Sequence, residues 1–144
     1  MRRVILALAI IGVYLAARAL QVHYSTGVTP CSINDVWDCG VVNRGPYSVM
    51  FGVPVALIGI FGYVFLFVVE ALKYWRVMAV ASVCALGFSL YLTHIEASIL
   101  QVWCEYCVGS LITISLITLL AIIQFVLSRR SRTAVDQPVT TAAK

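Results

Sequence analysis

Charged residues are scarce in this chain: Asp, Glu, Lys and Arg make up 11% of its 144 residues, whereas hydrophobic residues make up 62%. A water-soluble protein of this size could not bury so many apolar side chains. We therefore infer that lipid surrounds most of the chain. The sequence has no basic patch with interleaved aromatic residues, which argues against a nucleic-acid partner. It also has no polar stretch long enough for a separate soluble domain.

Four long apolar stretches account for most of the sequence. A helix rises about 1.5 Å per residue and crosses a hydrocarbon core of about 30 Å with roughly 20 residues. The predicted spans are residues 4–20, 51–72, 77–100 and 108–127. They predict an all-α integral membrane protein, a bundle of four transmembrane helices within residues 1–127, followed by a disordered polar tail, residues 128–144. We expect the first segment to remain as a helix, because its apolar run is long for a cleaved signal peptide.

The basic residues are distributed unevenly between the two sides of this bundle. Eight of the ten Lys and Arg residues fall at the termini or between spans two and three. The loop between spans one and two has only Arg44, and the loop between spans three and four has none. The positive-inside rule therefore predicts cytoplasmic termini in a cell inner membrane, with these two loops on the periplasmic side.

Four of the five cysteines fall in the two outer loops. Cys31 and Cys39 lie in the first, and Cys104 and Cys107 form a Cys-x-x-Cys directly before span four. Disulfides persist on the oxidising side of a membrane, so the topology and the cysteine positions agree. An exchangeable pair beside a lipid-embedded helix can pass electrons to a quinone dissolved in the membrane. The fifth cysteine, Cys84, is expected to pack inside the bundle.

The first outer loop, residues 21–50, is long and is predicted to contain a short helix. Ser32 can cap this helix, with Cys31 before it and Cys39 at its end. Glycine, asparagine and proline residues follow Cys39. We expect them to let Cys39 swing between two partners.

The Cys-x-x-Cys lies at the start of span four, where both sulfurs would share one face of a helical turn. A helix N-terminus stabilises a thiolate, which is the attacking species in disulfide exchange. Cys107 would lie roughly 4.5 Å deeper in the membrane than Cys104 if this segment is helical. We therefore expect a loop cysteine to reach Cys104, and Cys107 to face the quinone.

Polar side chains within or beside the spans could line a quinone pocket or carry protons to the reduced quinone. The candidates are Tyr91, His94, Glu96, Ser110 and Thr113. His94 and Glu96 can equally be residues of the outer membrane boundary. The hydroxyl groups can equally form ordinary hydrogen bonds between helices.

Two other interpretations of the cysteines stay open. One is a non-catalytic membrane scaffold whose disulfides only staple the loops, although a Cys-x-x-Cys closes so small a ring that it constrains little. The other is a four-sulfur zinc site, although zinc ligands usually come as two close pairs and the first pair here has seven intervening residues. We favour the redox interpretation and expect no metal.

The order of these motifs resembles the vitamin K epoxide reductase family, and its bacterial branch closely. The resemblance covers about residues 5–127. It rests on three features: Cys31 and Cys39 with Gly-Val-Val-Asn after the second, the run Phe51-Gly52-Val53-Pro54, and the run Tyr91–Glu96 followed by Cys104-Glu105-Tyr106-Cys107.

The resemblance implies a quinone-linked generator of protein disulfides with a DsbB-like role. Cys107 would donate electrons to ubiquinone or menaquinone, with Cys104 as its disulfide partner. Cys39 would attack Cys104, and Cys31 would engage a soluble thioredoxin-fold (DsbA-like) protein in trans.

The expected quinone-binding residues are Cys107, Ser110, Phe51 and Tyr91. Two positions depart from the family. Gly45 stands where members often have Ser or Thr, and Leu111 stands where the animal enzymes have Tyr.

Overall fold

The computed structural model describes residues 1–27, 31, 34 and 36–135 and is predominantly helical. Within these residues the chain forms five α-helices: α1 (Arg2–Tyr24), α2 (Cys39–Arg44), α3 (Val55–Ala71), α4 (Trp75–Ile95) and α5 (Glu105–Val135). A π-helical turn, Glu96–Leu100, extends α4, and a 3-10 turn, Pro46–Ser48, follows α2. A small antiparallel hairpin pairs β1 (Val49–Met50) with β2 (Val53–Pro54).

Three of the described helices are long and apolar enough to cross a membrane, namely α1, α4 with its π-helical extension, and α5. The fourth apolar helix, α3, has 17 residues and is therefore about 25 Å long. Many large apolar side chains on these helices stay exposed, as lipid-facing residues do. The prediction of an all-α membrane bundle is confirmed.

The bundle is built around α1, which packs against α3 and α5, while α4 packs against α5. Gly12 allows α3 to come close, because a Cβ atom at this position would overlap the ring of Tyr63. The Tyr63 hydroxyl in turn donates a hydrogen bond to the Ser110 carbonyl at 2.9 Å and so ties α3 to α5. Most of the core is made of Ile5, Ala9, Tyr63, Leu66, Met78, Ile114, Ile117 and Ala121.

Polar side chains inside the bundle bond to one another or to backbone, because unpaired polar groups are costly in lipid. Thr118 Oγ1 donates to the Ser82 carbonyl at 3.1 Å and joins α5 to α4. Gln124 Nε2 donates to Glu70 Oε1 at 3.2 Å and joins α5 to α3.

One end of the bundle is basic. Arg2 donates to the Ala71 carbonyl at 3.0 Å, which brings the start of α1 beside the end of α3. Lys73, Arg76 and Arg129 surround a common pocket at the turn between α3 and α4. Both cysteine loops lie at the other end, after α1 and after α4.

The helix boundaries differ from the predicted spans, notably at the start of the second and at the end of the fourth. Phe51 and Gly52 have φ angles of 53° and 80° and make the two-residue turn of the hairpin. The second long helix therefore begins at Val55, four residues later than predicted. The last helix begins at Glu105 and continues to Val135, so residues 128–135 are helical rather than a disordered tail. Residues 136–144 lie outside the described part of the chain.

The short helix of the first loop begins at Cys39 instead of ending there. The Asp38 side chain caps it by accepting hydrogen bonds from the N–H groups of Gly40 at 2.7 Å and Val41 at 3.3 Å. Because α2 continues through Asn43, Cys39 is held in a helix and not in the flexible segment that we expected. The predicted cap, Ser32, lies outside the described residues.

We predict that Gly12→Leu lowers the stability of the bundle, because the new side chain would overlap Tyr63. Overpacking of this kind costs about 1–3 kcal/mol. Thermal unfolding in detergent, followed by circular dichroism, measures the loss. Gly87→Leu is the matched control, because nothing lies within 4 Å of a Cβ at that helical glycine. Equal losses in both variants would contradict the close α1–α3 packing.

Candidate functional site

Backbone hydrogen bonds join the two cysteine loops. The Trp103 N–H donates to the Val36 carbonyl at 2.8 Å, and the Asp38 N–H donates to the Trp103 carbonyl at 3.2 Å. Together they make a parallel bridge between Trp37 and Trp103. A cysteine follows closely in each loop, so the bridge fixes where the two cysteines meet.

Three of the four loop cysteines lie in one buried cluster. Cys31, Cys39 and Cys104 have exposed fractions of 3%, 0% and 0% and pack with Val22 at the end of α1. Cys31 and Cys39 form a disulfide with Cα atoms 5.8 Å apart. Cys104 and Cys107 are free thiols. One pair is therefore oxidised beside a reduced pair, and disulfide exchange needs such a pairing of thiol and disulfide.

Asn43 is a site residue that the sequence analysis took for part of a flexible loop. Its Nδ2 donates to the Cys39 carbonyl at 2.9 Å and to Cys104 Sγ at 3.2 Å. Residues four apart on a helix share a face, so Asn43 reaches the same cluster as Cys39. The four-residue spacing of Cys39 and Asn43 would have predicted this contact, but only if the short helix is placed after Cys39 rather than before it.

Hydrogen bonds lower the pKa of the Cys104 thiol. The bond with the Cys107 thiol has the largest effect, and the Cys107 N–H and the Asn43 amide add to it. Burial and the Glu96 carboxylate act in the opposite direction. The net effect favours the thiolate, which is the form that takes part in disulfide exchange.

A cavity of about 280 Å³ reaches Cys107, whereas Cys104 is not among the described residues that line it. Side chains of α1, α3, α4 and α5 form its walls, and most of them are apolar. A few polar groups are interspersed, among them His23, Ser48 and Ser110. Apolar walls with a few placed polar groups are typical of pockets for small organic molecules. The residues present therefore suit a small, mostly apolar molecule next to Cys107.

Glu96 connects the cysteines to this cavity. It is 3% exposed and begins the π-helical turn after α4, a kind of distortion often found at functional sites. Its Oε2 accepts a hydrogen bond from the Cys104 N–H at 3.3 Å. Its carboxyl group is also within hydrogen-bonding reach of the Cys107 thiol and lines the cavity.

The structure brings together two of the four expected quinone-binding residues. Cys107 and Ser110 both line the cavity, and the Ser110 hydroxyl is 2.8 Å from that of Tyr63. Phe51 is 99% exposed at the hairpin turn and Tyr91 is 54% exposed on α4. Neither is among the described residues that line the cavity. Contact of any of the four residues with a quinone stays a prediction.

The remaining polar candidates differ in burial and in hydrogen-bond partners. His94 is exposed and lies 3.3 Å from the Ser98 hydroxyl, whereas Glu96 is buried. Thr113 donates to the Gly109 carbonyl of its own helix at 2.8 Å. Cys84 is exposed on α4, so the expectation that it packs inside the bundle is wrong.

The zinc interpretation finds little support in this geometry. The Cys31–Cys39 disulfide occupies two of the four sulfurs that such a site would need. Among residues 1–27, 31, 34 and 36–135, no group of three or more His, Cys, Asp and Glu side chains is placed to hold a metal ion.

Fold and site together define a helical membrane protein with two cysteine pairs beside an apolar cavity. Comparison with family models matches the chain to the vitamin K epoxide reductase family over residues 3–122. The match covers most of the chain, so the protein belongs to this family and is a membrane oxidoreductase. A search of curated proteins found no match.

We predict that Asn43→Asp raises the pKa of the Cys104 thiol, because it removes the N–H donor and adds a negative charge. Thiolate absorbance in a Cys84→Ala background, with Cys31 and Cys39 oxidised, follows the two remaining thiols. The lower of their two titration midpoints should move to higher pH. Asn34→Asp is the matched control, because the Asn34 side chain acts as an acceptor there. Identical midpoints in wild type and Asn43→Asp would show that Asn43 does not act on the sulfur.

Proposed function

We propose that the protein is a thiol:quinone oxidoreductase that generates disulfides. It oxidises a soluble thioredoxin-fold, DsbA-like partner in trans and passes the electrons to ubiquinone or menaquinone. The observation that carries this proposal is the position of Cys107, which belongs to the Cys-x-x-Cys and also lines the apolar cavity. When bound there, a quinone supplies the two-electron acceptor that reoxidises the pair.

The first step is exchange between the partner and the first loop. The partner's dithiol reduces the Cys31–Cys39 disulfide, so the partner leaves as a disulfide and two thiols remain in the loop. Apolar surface beside this disulfide supports docking of a soluble protein, since Val36 and Trp37 are 50% and 37% exposed.

The second step moves the electrons between the two loops. The Cys39 thiolate attacks Cys104 of an oxidised Cys104–Cys107 pair, which forms a Cys39–Cys104 disulfide and releases the Cys107 thiolate. Cys31 then attacks Cys39 and releases Cys104. The shared buried cluster of Cys31, Cys39 and Cys104 supports this order, because no long movement is needed to bring these residues together.

The orientation in the membrane is also part of the proposal. The basic end, with Lys73, Arg76 and Arg129, would face the cytoplasm by the positive-inside rule. The cysteine loops would then face the periplasm across the inner membrane, where disulfides persist and a DsbA-like partner works.

The scaffold alternative accounts less well for the site. A scaffold needs its cysteines only as fixed staples, whereas Cys104 and Cys107 are free thiols and Cys107 lies on a cavity wall. We therefore prefer the catalytic function.

We predict that the double variant Cys31→Ala/Cys107→Ala traps a disulfide between Cys39 and Cys104 under mild oxidation, because both sulfurs that could attack this disulfide are gone. Proteolysis at a site inserted in the turn between α3 and α4, followed by a non-reducing gel, should show the two halves linked. Cys84→Ala is the control and should give no link. A link in the companion variant Cys39→Ala/Cys107→Ala, which could only join Cys31 to Cys104, with none in the first variant would exchange the roles of the two loop cysteines. No link in any preparation would exclude the loop-to-loop relay.

We also predict that Gly62→Leu raises the KM for the quinone by about tenfold or more. The leucine side chain would occupy cavity space that the quinone needs, and crowding of this kind costs about 1–3 kcal/mol. Gly62 lines the cavity, and nothing lies within 4 Å of a Cβ placed there. The assay follows quinone reduction by the purified protein with a reduced dithiol partner. Gly87→Leu, outside the cavity, is the control. Failure of the wild-type protein to reduce either quinone would refute the proposed function.

A further inference from the structure

Glu96 is a buried acidic side chain to which the relay between the cysteines gives no role. Among the described residues that line the cavity it is the only carboxylate, and it is 3% exposed. An ionisable group inside a membrane protein is costly to keep, so its position calls for a function. That position lies between the Cys-x-x-Cys and the cavity.

Several of the other polar groups that line the cavity are bonded to one another or to backbone. His23 Nδ1 is hydrogen-bonded with the Asn43 carbonyl. The Tyr63 hydroxyl is bonded to Ser110. His94, which the sequence placed next to Glu96 as a candidate, is exposed and does not line the cavity.

The chemistry of the site requires a path for protons. Oxidation of the Cys104 and Cys107 thiols to a disulfide releases two electrons and two protons, and a quinone takes up both to become a quinol. The cavity walls are mostly apolar, so water is a poor carrier inside it. A carboxylate in reach of the Cys107 S–H group is a suitable general base.

We propose that Glu96 is a catalytic residue that carries protons from the Cys-x-x-Cys to the quinone, a role that rests on the proposed function. As the S–S bond forms and the electron pair leaves Cys107, Glu96 accepts the Cys107 proton and donates it to a quinone oxygen. Before this bond closes, the Cys104 proton has already passed by way of Cys107 and Glu96 to the other quinone oxygen, which leaves the Cys104 thiolate as the attacking species. Glu96 ends each turnover in the state in which it began.

A purely structural role predicts a different result. The Cys104 N–H donates to Glu96 Oε2, and a glutamine oxygen could accept the same bond. Glu96→Gln therefore keeps the acceptor and removes the proton carrier. Glu96→Asp keeps a carboxylate on a shorter side chain. Glu70→Gln is the matched control, since Glu70 is another buried carboxylate that accepts a hydrogen bond and is not among the described residues that line the cavity.

The test separates the two half-reactions. In quinone-free protein, reduction of the Cys104–Cys107 disulfide by the reduced partner should proceed in Glu96→Gln at the wild-type rate. Reoxidation of the reduced pair by added ubiquinone or menaquinone should be slower by about a hundredfold or more. In steady state, alkylation and mass spectrometry should then find Cys104 and Cys107 mostly reduced. Glu96→Asp should recover to within about tenfold of wild type, and Glu70→Gln should reoxidise at the wild-type rate.

Each other outcome overturns a definite statement. A wild-type rate of reoxidation in Glu96→Gln would refute the proton carrier and leave the proposed function standing. Equal slowing of both half-reactions would show that Glu96 only positions Cys104. A wild-type protein that reduces no quinone would refute the proposed function and this role with it. If Glu96→Gln does not fold, Glu96→Asp decides, because selective slowing of reoxidation supports the role and unchanged rates refute it.

Discussion

The backbone bridge between Trp37 and Trp103 is the constraint on which the site depends. The two cysteine loops are more than sixty residues apart in sequence and follow different helices. Two backbone hydrogen bonds, of 2.8 and 3.2 Å, fix which residue of one loop lies beside which residue of the other. Because Cys39 begins a helix capped by Asp38, the same segment that makes the bridge also directs Cys39 and Asn43 toward Cys104.

The two thiols of the Cys-x-x-Cys consequently face different surroundings. Cys104 lies in a closed cluster with the first-loop cysteines, where Asn43 donates to its sulfur. Cys107, in the first turn of α5, lines the cavity among the long helices. Exchange with protein sulfur and transfer to a small apolar oxidant need different environments, since the first requires a partner disulfide and the second a dry pocket. Because the two cysteines are three residues apart at the start of α5, one sulfur lies in each environment.

The sequence alone predicted the membrane bundle and the two cysteine loops. It also predicted that Cys104 lies toward the first loop and that Cys107 lies deeper. These features follow from apolar length and from spacing, which are local properties. It misplaced α2 because Asp38 and Ser32 are both good caps, and only the bridge to Trp103 favours the helix that starts at Cys39. Without a helix that begins at Cys39, the sequence did not predict that Asn43 reaches Cys104. Span two was drawn too long because the apolar Phe51 occupies a hairpin turn, which hydropathy cannot distinguish from a helix.

Lipid as the surrounding medium gives the few polar residues of this chain their significance. In water a buried carboxylate and a buried amide can be incidental, but in a bilayer each unpaired polar group costs several kcal/mol, so it stays where it has partners. Glu70 and Gln124 meet this requirement only in part near the basic end: Gln124 Nε2 donates to Glu70 Oε1 and ties α3 to α5, while Glu70 Oε2 and Gln124 Oε1 are buried without a partner among the described residues. Glu96 satisfies it with the Cys104 N–H and the Cys107 thiol. The first pair joins two helices, whereas Glu96 joins the Cys-x-x-Cys to a cavity, and that difference in partners is why we assign chemistry to Glu96.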